Sequence, residues 1–302
     1  MLGPAGTGKT MMAKALPGIL PPMSPQEALE VTRIYSAVGK SVPAGGGGGG
    51  SASAGGGDAN HSGLVTVRPV RTPHHTASAV AVIGGGMIPK PGEISLAHRG
   101  ILFLDELPEF PRAVLDTLRQ PLEDGEVSIA RAHSAVKFPA SFMLVAAMNP
   151  TSKGDMPRDE AGRREMDRYL SRVSRPLIDR IDIHVEAPAV PWKQLAARDA
   201  APGTSSAAMR EAVSRARAVQ RARQGEQVNA RLRGRQLDEL APMTDEARET
   251  LGQAITELGL SARAYDKVRR VARTIADLEG AKGLELAHVA EAIQYRLLDR
   301  RV

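Results

Sequence analysis

Gly3-Pro4-Ala5-Gly6-Thr7-Gly8-Lys9-Thr10 matches the pattern G-x-x-x-x-G-K-[ST] at every fixed position, and its reading decides the fold. The glycines let the backbone take positive-φ conformations, so successive N–H groups turn inward on one anion. Lys9 is placed to reach the β- and γ-phosphates of ATP as a point charge, and Thr10 to offer its hydroxyl to Mg²⁺. A helix is expected over residues 10–16, with the positive end of its dipole on the same phosphates. The pattern also requires a buried strand immediately before it, yet only Met1 and Leu2 precede Gly3. The sequence therefore predicts a chain that begins inside its own fold.

The second anchor is Ile101-Leu102-Phe103-Leu104-Asp105-Glu106. Four apolar residues ending in two carboxylates describe a buried parallel strand that delivers acids to its C-terminal edge. Asp105 suits Mg²⁺, directly or through water, and Glu106 suits a base that polarises an attacking water. Alone, such a run often ends in a solvated acid; about a hundred residues after a phosphate loop it carries chemistry. Residues 142–148 form another wholly apolar strand, ending in Asn149-Pro150. An asparagine there can donate its amide to the γ-phosphate or the attacking water; a simple turn residue is the alternative.

Composition sets the bounds. The chain has 302 residues with 42% apolar and only 3% aromatic content, so Ala, Val, Leu and Ile must fill the cores. It has no cysteine, which excludes disulfides and thiolate metal sites and fits a reducing cytoplasm. No signal peptide or membrane-spanning run is found, so a cytoplasmic location without a membrane partner is expected. A net charge of +6 permits a polyanionic partner.

Between the anchors, Ser24 is expected to cap a helix over residues 25–38, with Pro25 first and Glu27 third. Residues 43–58 are Ala, Gly and Ser with nothing to bury: a flexible insertion without a catalytic role. Residues 64–70 are predicted as a strand. The adjacent His74 and His75 would point to opposite faces of a strand, which favours a packing or partner-contacting loop over a metal site. Residues 110–122 carry one apolar helical face, residues 125–138 alternate as a hairpin, and residues 181–185 alternate as a further strand. Residues 188–204 form a connector, and helices are expected beyond it. Residues 210–235 are arginine-rich against only Glu211 and Glu226, which favours a solvated helix face over nucleic-acid contact. The fold class is α/β. A parallel-sheet P-loop domain over residues 1–200, with its first strand missing and the insertion at 43–58, precedes an all-helical domain over residues 201–302.

Taken in order, the phosphate loop, Asp105-Glu106, Asn149 and Arg180 resemble the AAA+ ATPases. More narrowly they resemble the magnesium-chelatase-like competence family (ComM, also called YifB). That resemblance is carried by Arg68-Pro69, Pro73-His74-His75-Thr76, Pro91-Gly92-Glu93-Ile94-Ser95-Leu96-Ala97-His98, Leu104-Asp105-Glu106-Leu107-Pro108-Glu109-Phe110, Arg119-Gln120-Pro121-Leu122-Glu123-Asp124-Gly125 and Leu260-Ser261-Ala262-Arg263-Ala264-Tyr265. It implies a hexameric ring in which Asn149 is sensor 1 and Arg263, on the lid, is sensor 2. Arg180 would be the arginine finger that reaches the γ-phosphate of the neighbouring subunit. It implies an ATP-driven DNA helicase that promotes branch migration in recombination and natural transformation. Its pore loops would be residues 76–96 and the 125–138 hairpin, where Arg131, His133 and Lys137 meet phosphates.

Four features depart from that family. The sequence does not open on the Lon-protease-like domain that the resemblance leads one to expect before the ATPase, the segment after Asn149-Pro150 has no cysteines, Arg175 stands where Gly is common, and Gly45 to Gly50 is an unusual insertion. Two other readings stay open. One is a magnesium-chelatase-type ATPase subunit that drives metal insertion; the other is a nucleotide-binding interaction module without turnover.

Overall fold

The structure, a computed structural model, describes residues 1–39, 63–130, 135–151, 154, 159–189 and 203–296. The insertion at 43–58, residues 190–202 of the connector, Arg131 and His133 lie outside these residues. The described residues form two compact units. The first comprises Met1–Pro21, Glu106–Arg112 and Ala146–Val302; the second comprises Pro22–Asp105 and Ala113–Val145.

The second unit holds the sheet. Its strands β1 (Val70–Arg71), β4 (Ile101–Leu104) and β7 (Met143–Ala146) stand in the order β1-β4-β7. β1 and β4 are parallel, with Val70 opposite Ile101 and Arg71 opposite Leu102. All four β4 residues are buried, as expected of a strand covered on both faces. Gly100 lets the two strands meet, since a Cβ there would lie 1.9 Å from the Pro69 carbonyl oxygen. The helix Pro25–Ala37 has the expected capping box: Ser24 Oγ accepts from the Glu27 N–H, and Glu27 accepts from the Ser24 N–H. Its Val31, Ile34 and Tyr35 pack with Val65 and Leu96.

Two expectations in this unit need correction. The predicted strand over residues 64–70 shrinks to Val70–Arg71. Pro69 has no N–H for a ladder, and the Arg68 guanidinium is engaged by Glu27 at 2.9 Å and by the Arg99 carbonyl at 2.6 Å. The predicted helix over residues 110–122 is two short helices, Arg112–Thr117 and Arg119–Asp124. Pro121 cannot donate to the Thr117 carbonyl, and the first helix ends there. The hairpin stands: β5 (Glu126–Ala130) pairs antiparallel with β6 (Ala135–Pro139), with Val127 opposite Phe138 and Ile129 opposite Val136. A smaller antiparallel pair, β2 (Gly84–Gly85) and β3 (Lys90–Pro91), precedes β4.

The first unit is mainly helical. Beyond residue 203 its helices are Ser206–Gln224, Arg235–Leu240, Asp245–Leu258, Ala262–Glu279 and Leu286–Gln294. Ser205, Thr244 and Ser261 each accept a first-turn N–H, as caps should. Leu232, Leu237, Leu251, Val268, Leu284 and Val289 are wholly buried in its core. Among the described residues, no helix is long and apolar enough to cross a membrane. The expected strand over residues 181–185 is not formed; the parallel bridge to Leu2 falls at Glu186, just beyond it.

The arginine-rich helix is not simply a solvated face. Arg210 Nε donates to the Gly18 carbonyl at 2.6 Å, and Arg223 turns inward onto Asp277. The fully buried Asp277 carboxylate accepts from Arg223 at 2.6 and 2.9 Å, from Arg273 at 2.8 Å and from Asn229 at 2.8 Å. Burial alone would raise the Asp277 pKa, but the bonds from Arg223 and Asn229 and the charges of Arg273 and Arg223 outweigh it and lower the pKa. A depressed folded value means stability that is full above the ordinary aspartate pKa, about 4, and lost as pH falls through the folded one. Asp277→Ala leaves the buried Arg273 and the half-buried Arg223 without their carboxylate and should cost about 3–5 kcal/mol in denaturant unfolding. A loss below about 1 kcal/mol, the range of exposed pairs, would contradict this.

Candidate active site

The site grows from two residues. Leu2 is bridged in parallel to Met148 on one side and to Glu186 on the other. Its N–H donates to Val185 O at 2.8 Å and its carbonyl accepts from Ala187 N at 2.8 Å, while Gly3 N donates to Met148 O at 3.2 Å. The backbone entering the phosphate loop is thus paired on both sides, as the motif requires. Gly3 allows this crowding, because a Cβ there would lie 2.1 Å from the Ala187 carbonyl oxygen.

From Gly3 the loop folds back on itself. Gly6 and Gly8 have φ of 80° and 78°, and Gly8 begins the helix Lys9–Ala15 in a left-handed conformation. The Lys9 ammonium is buried and donates to Gly3 O at 2.8 Å, Pro4 O at 2.7 Å and Asn149 Oδ1 at 3.1 Å. Thr7 Oγ1 donates to Pro4 O at 3.0 Å. Ala5 N donates to the carbonyl of Gly154, a residue the sequence reading passed over. Gly154 has φ of 86°, and a Cβ there would lie 3.0 Å from the Ala5 side chain. A lone glycine five residues after Asn149 was the available signal.

Glu106 stands at φ 53°, ψ 48°, a left-handed conformation that costs a side-chain-bearing residue about 1–3 kcal/mol. The surroundings hold it: buried Leu107 donates its N–H to Ala147 O at 3.0 Å, and Glu109 N closes the turn on Glu106 O at 2.8 Å. Both Glu109 oxygens accept from Arg172 Nη1 at 3.2 Å, and Arg172 lies over the Tyr169 ring. Burial, then a hydrogen bond to Glu109, raises the Tyr169 pKa. Glu106 is exposed at the end of this anchored turn. The Glu106 turn and the phosphate loop both attach to residues 147–149, the segment that ends in Asn149.

The remaining predicted residues fall as follows. Asp105 follows β4 in the second unit, half-buried. Thr10 is half-buried in the first turn of the Lys9–Ala15 helix. Arg180 follows the short helix Arg175–Ile178 and donates to Pro176 O at 2.6 Å. Arg263 is exposed in the first turn of Ala262–Glu279. Lys137 is exposed on β6 and pairs with Glu126, which raises its pKa. His74 and His75 lie in a turn with ring centroids 4.1 Å apart; among the described residues no His/Cys/Asp/Glu group fits a metal ion.

The residues fit a nucleotide phosphate. Among the described residues, the backbone N–H groups of Gly6, Thr7 and Gly8, which immediately precede Lys9 in the loop, donate to no protein acceptor. The hydroxyl of Thr10 and the carboxylate of Asp105 are oxygen donors of the kind Mg²⁺ takes.

Fold and loop together define a P-loop protein of the AAA+ class. The chain belongs to the magnesium chelatase family: the profile described as magnesium chelatase, subunit ChlI, matches residues 1–45 and 51–195, and its C-terminal counterpart matches residues 203–296. It is 44% identical over 99% of its length to competence protein ComM of Haemophilus influenzae, covering 55% of that protein. It is 42% identical to an uncharacterized protein YifB of Salmonella typhimurium and 40% identical to that of Escherichia coli, over 99% of this chain and 56% of each relative. The chain therefore spans little more than half the length of these relatives.

Gly3→Ala should separate the loop from the 185–187 segment, at about 1–3 kcal/mol of stability and with a marked loss of ATP affinity. Fluorescent-nucleotide titration checks this; unaltered affinity in a folded variant would show that the close approach at Gly3 is dispensable.

Proposed function

We propose that this chain is an ATP-hydrolysing AAA+ motor that acts on DNA in the cytoplasm, a helicase promoting branch migration in recombination and natural transformation. The observation that carries the chemistry is the buried Lys9 bound to Asn149, in a loop whose Gly6, Thr7 and Gly8 N–H groups meet no acceptor among the described residues. The DNA reading rests on the likeness to a protein named for competence.

In this mechanism the loop N–H groups and Lys9 bind the phosphates, and Lys9 leaves the Gly3 and Pro4 carbonyls for the γ-phosphate. Thr10 and Asp105 would hold Mg²⁺, which when bound would supply charge neutralisation at the phosphates. Glu106 polarises the attacking water while Asn149 orients it. Arg180 stabilises transition-state charge at the nucleotide of the next subunit in a hexamer, and residues 201–302 serve as the lid carrying Arg263. Arg131, His133 and Lys137 of the hairpin bind DNA phosphates without reading bases. The match to the ChlI profile favours a second reading, an ATPase subunit of a chelatase, which DNA would not stimulate.

Lys9→Ala should abolish nucleotide binding, whereas Glu106→Gln should keep binding and lose hydrolysis by about 100-fold or more. Equal loss of affinity in both variants would refute the division of labour. For the DNA arm, Arg131→Ala with Lys137→Ala should weaken binding to all DNA sequences alike and flatten the log–log salt slope by about two. Basal hydrolysis should persist while stimulation by branched DNA falls. An unmodified protein whose hydrolysis ignores branched DNA would favour the chelatase reading.

A further inference from the structure

Arg180 is followed directly by a segment bound at three points to the C-terminal bundle: one on the Ala262–Glu279 helix and two on the turn that ends Leu286–Gln294. Arg296 Nη1 donates to the Ile181 carbonyl. Lys267 Nζ donates to Asp182 Oδ1 at 2.8 Å. The His184 N–H donates to the Tyr295 carbonyl at 2.8 Å. Both cations are out of water: Arg296 is 1% exposed and Lys267 is 9% exposed, whereas the Asp182 side chain is 51% exposed. A buried ammonium without its carboxylate is costly, so the Lys267–Asp182 contact is a constraint on geometry and not a loose surface pair. Lys267 also sits four residues after Arg263, one turn along the Ala262–Glu279 helix on the same face. Burial, opposed by Asp182, lowers the Lys267 pKa, consistent with a site that excludes water.

We propose that Lys267 and Arg296 are positioning residues for Arg180. They lock the segment beginning at Ile181 to the helical bundle, so that Arg180 and Arg263 are carried by one rigid piece. A shift of the bundle then moves both arginines together and sets whether Arg180 reaches its phosphate. This rests on reading Arg180 as the group that serves a neighbouring subunit. Neither positioning residue needs to touch nucleotide, and neither was singled out by the sequence.

The test uses the full chain and mixed assemblies. Lys267→Met should lower kcat for ATP about 10- to 100-fold, the range for displaced catalytic groups, with KM little changed. Mixed with Lys9→Ala subunits, which keep a well-placed Arg180 but have no working phosphate loop, it should regain activity. Each mixed interface of that kind pairs an intact loop with a correctly held Arg180. Arg180→Ala mixed with Lys9→Ala is the control. If the control recovers and Lys267→Met does not, the inference is overturned while the trans role of Arg180 stands. If the control fails in assemblies shown to contain both subunits, the trans role falls and the inference with it. Asp182→Asn, at the half-exposed partner, repeats the experiment should Lys267→Met not fold; an unchanged kcat in that variant also overturns the inference.

Discussion

The structure depends on where the Lys9 ammonium sits. Buried between the carbonyls of Gly3 and Pro4 and the side chain of Asn149, it ties the start of the phosphate loop to the end of the 146–149 segment. A cation in this position must be matched by oxygens from several directions, and only a loop closed on itself supplies them. That closure requires Gly3 pressed against Ala187, Leu2 paired on both flanks, and Gly6 and Gly8 at positive φ. The same charge that holds the loop together in the protein is the one a phosphate would attract.

Elsewhere the first unit repeats this use of buried cations. With few aromatics, its helices pack on leucines, valines and alanines, which fill space without fixing orientation strongly. Orientation comes from cations held by carbonyls and single carboxylates: Arg273 on Asp277 and on the carbonyls of Ala281 and Lys282, Arg223 on Asp277, Arg296 on Ile181, Lys267 on Asp182. Such contacts add little to net stability but are costly to break, so they define position. In a protein read as a motor, they decide which elements move as one.

Motifs with fixed spacing were legible in the sequence because each fixed residue has one physical duty. The phosphate loop, the apolar strand before Asp105, the Ser24–Glu27 capping box and the Val127–Phe138 hairpin all stand as expected. Alternation misled over residues 181–185, which form no strand: the short stretch at Leu2 bonds Val185 and bridges to Glu186, while Ile181, Asp182 and His184 are taken by Arg296, Lys267 and Tyr295. Proline set two errors, at Pro69 and Pro121, by removing a donor inside an otherwise regular pattern. The arginines were read by composition, yet Arg223 and Arg296 find their partners through folds distant in sequence, 54 and 115 residues away. Gly154 was invisible for the same reason: its duty is set by Ala5, across the chain.

Amide hydrogen exchange across residues 3–12, with and without Mg·ATP, tests the central claim most directly. The loop N–H groups of Gly6, Thr7 and Gly8 should exchange rapidly in the free protein and slow by about tenfold or more when they bind phosphate oxygens. The same peptide in Lys9→Ala should show no slowing. Unchanged exchange in the unmodified protein at saturating Mg·ATP would contradict the assignment of this loop as the phosphate site.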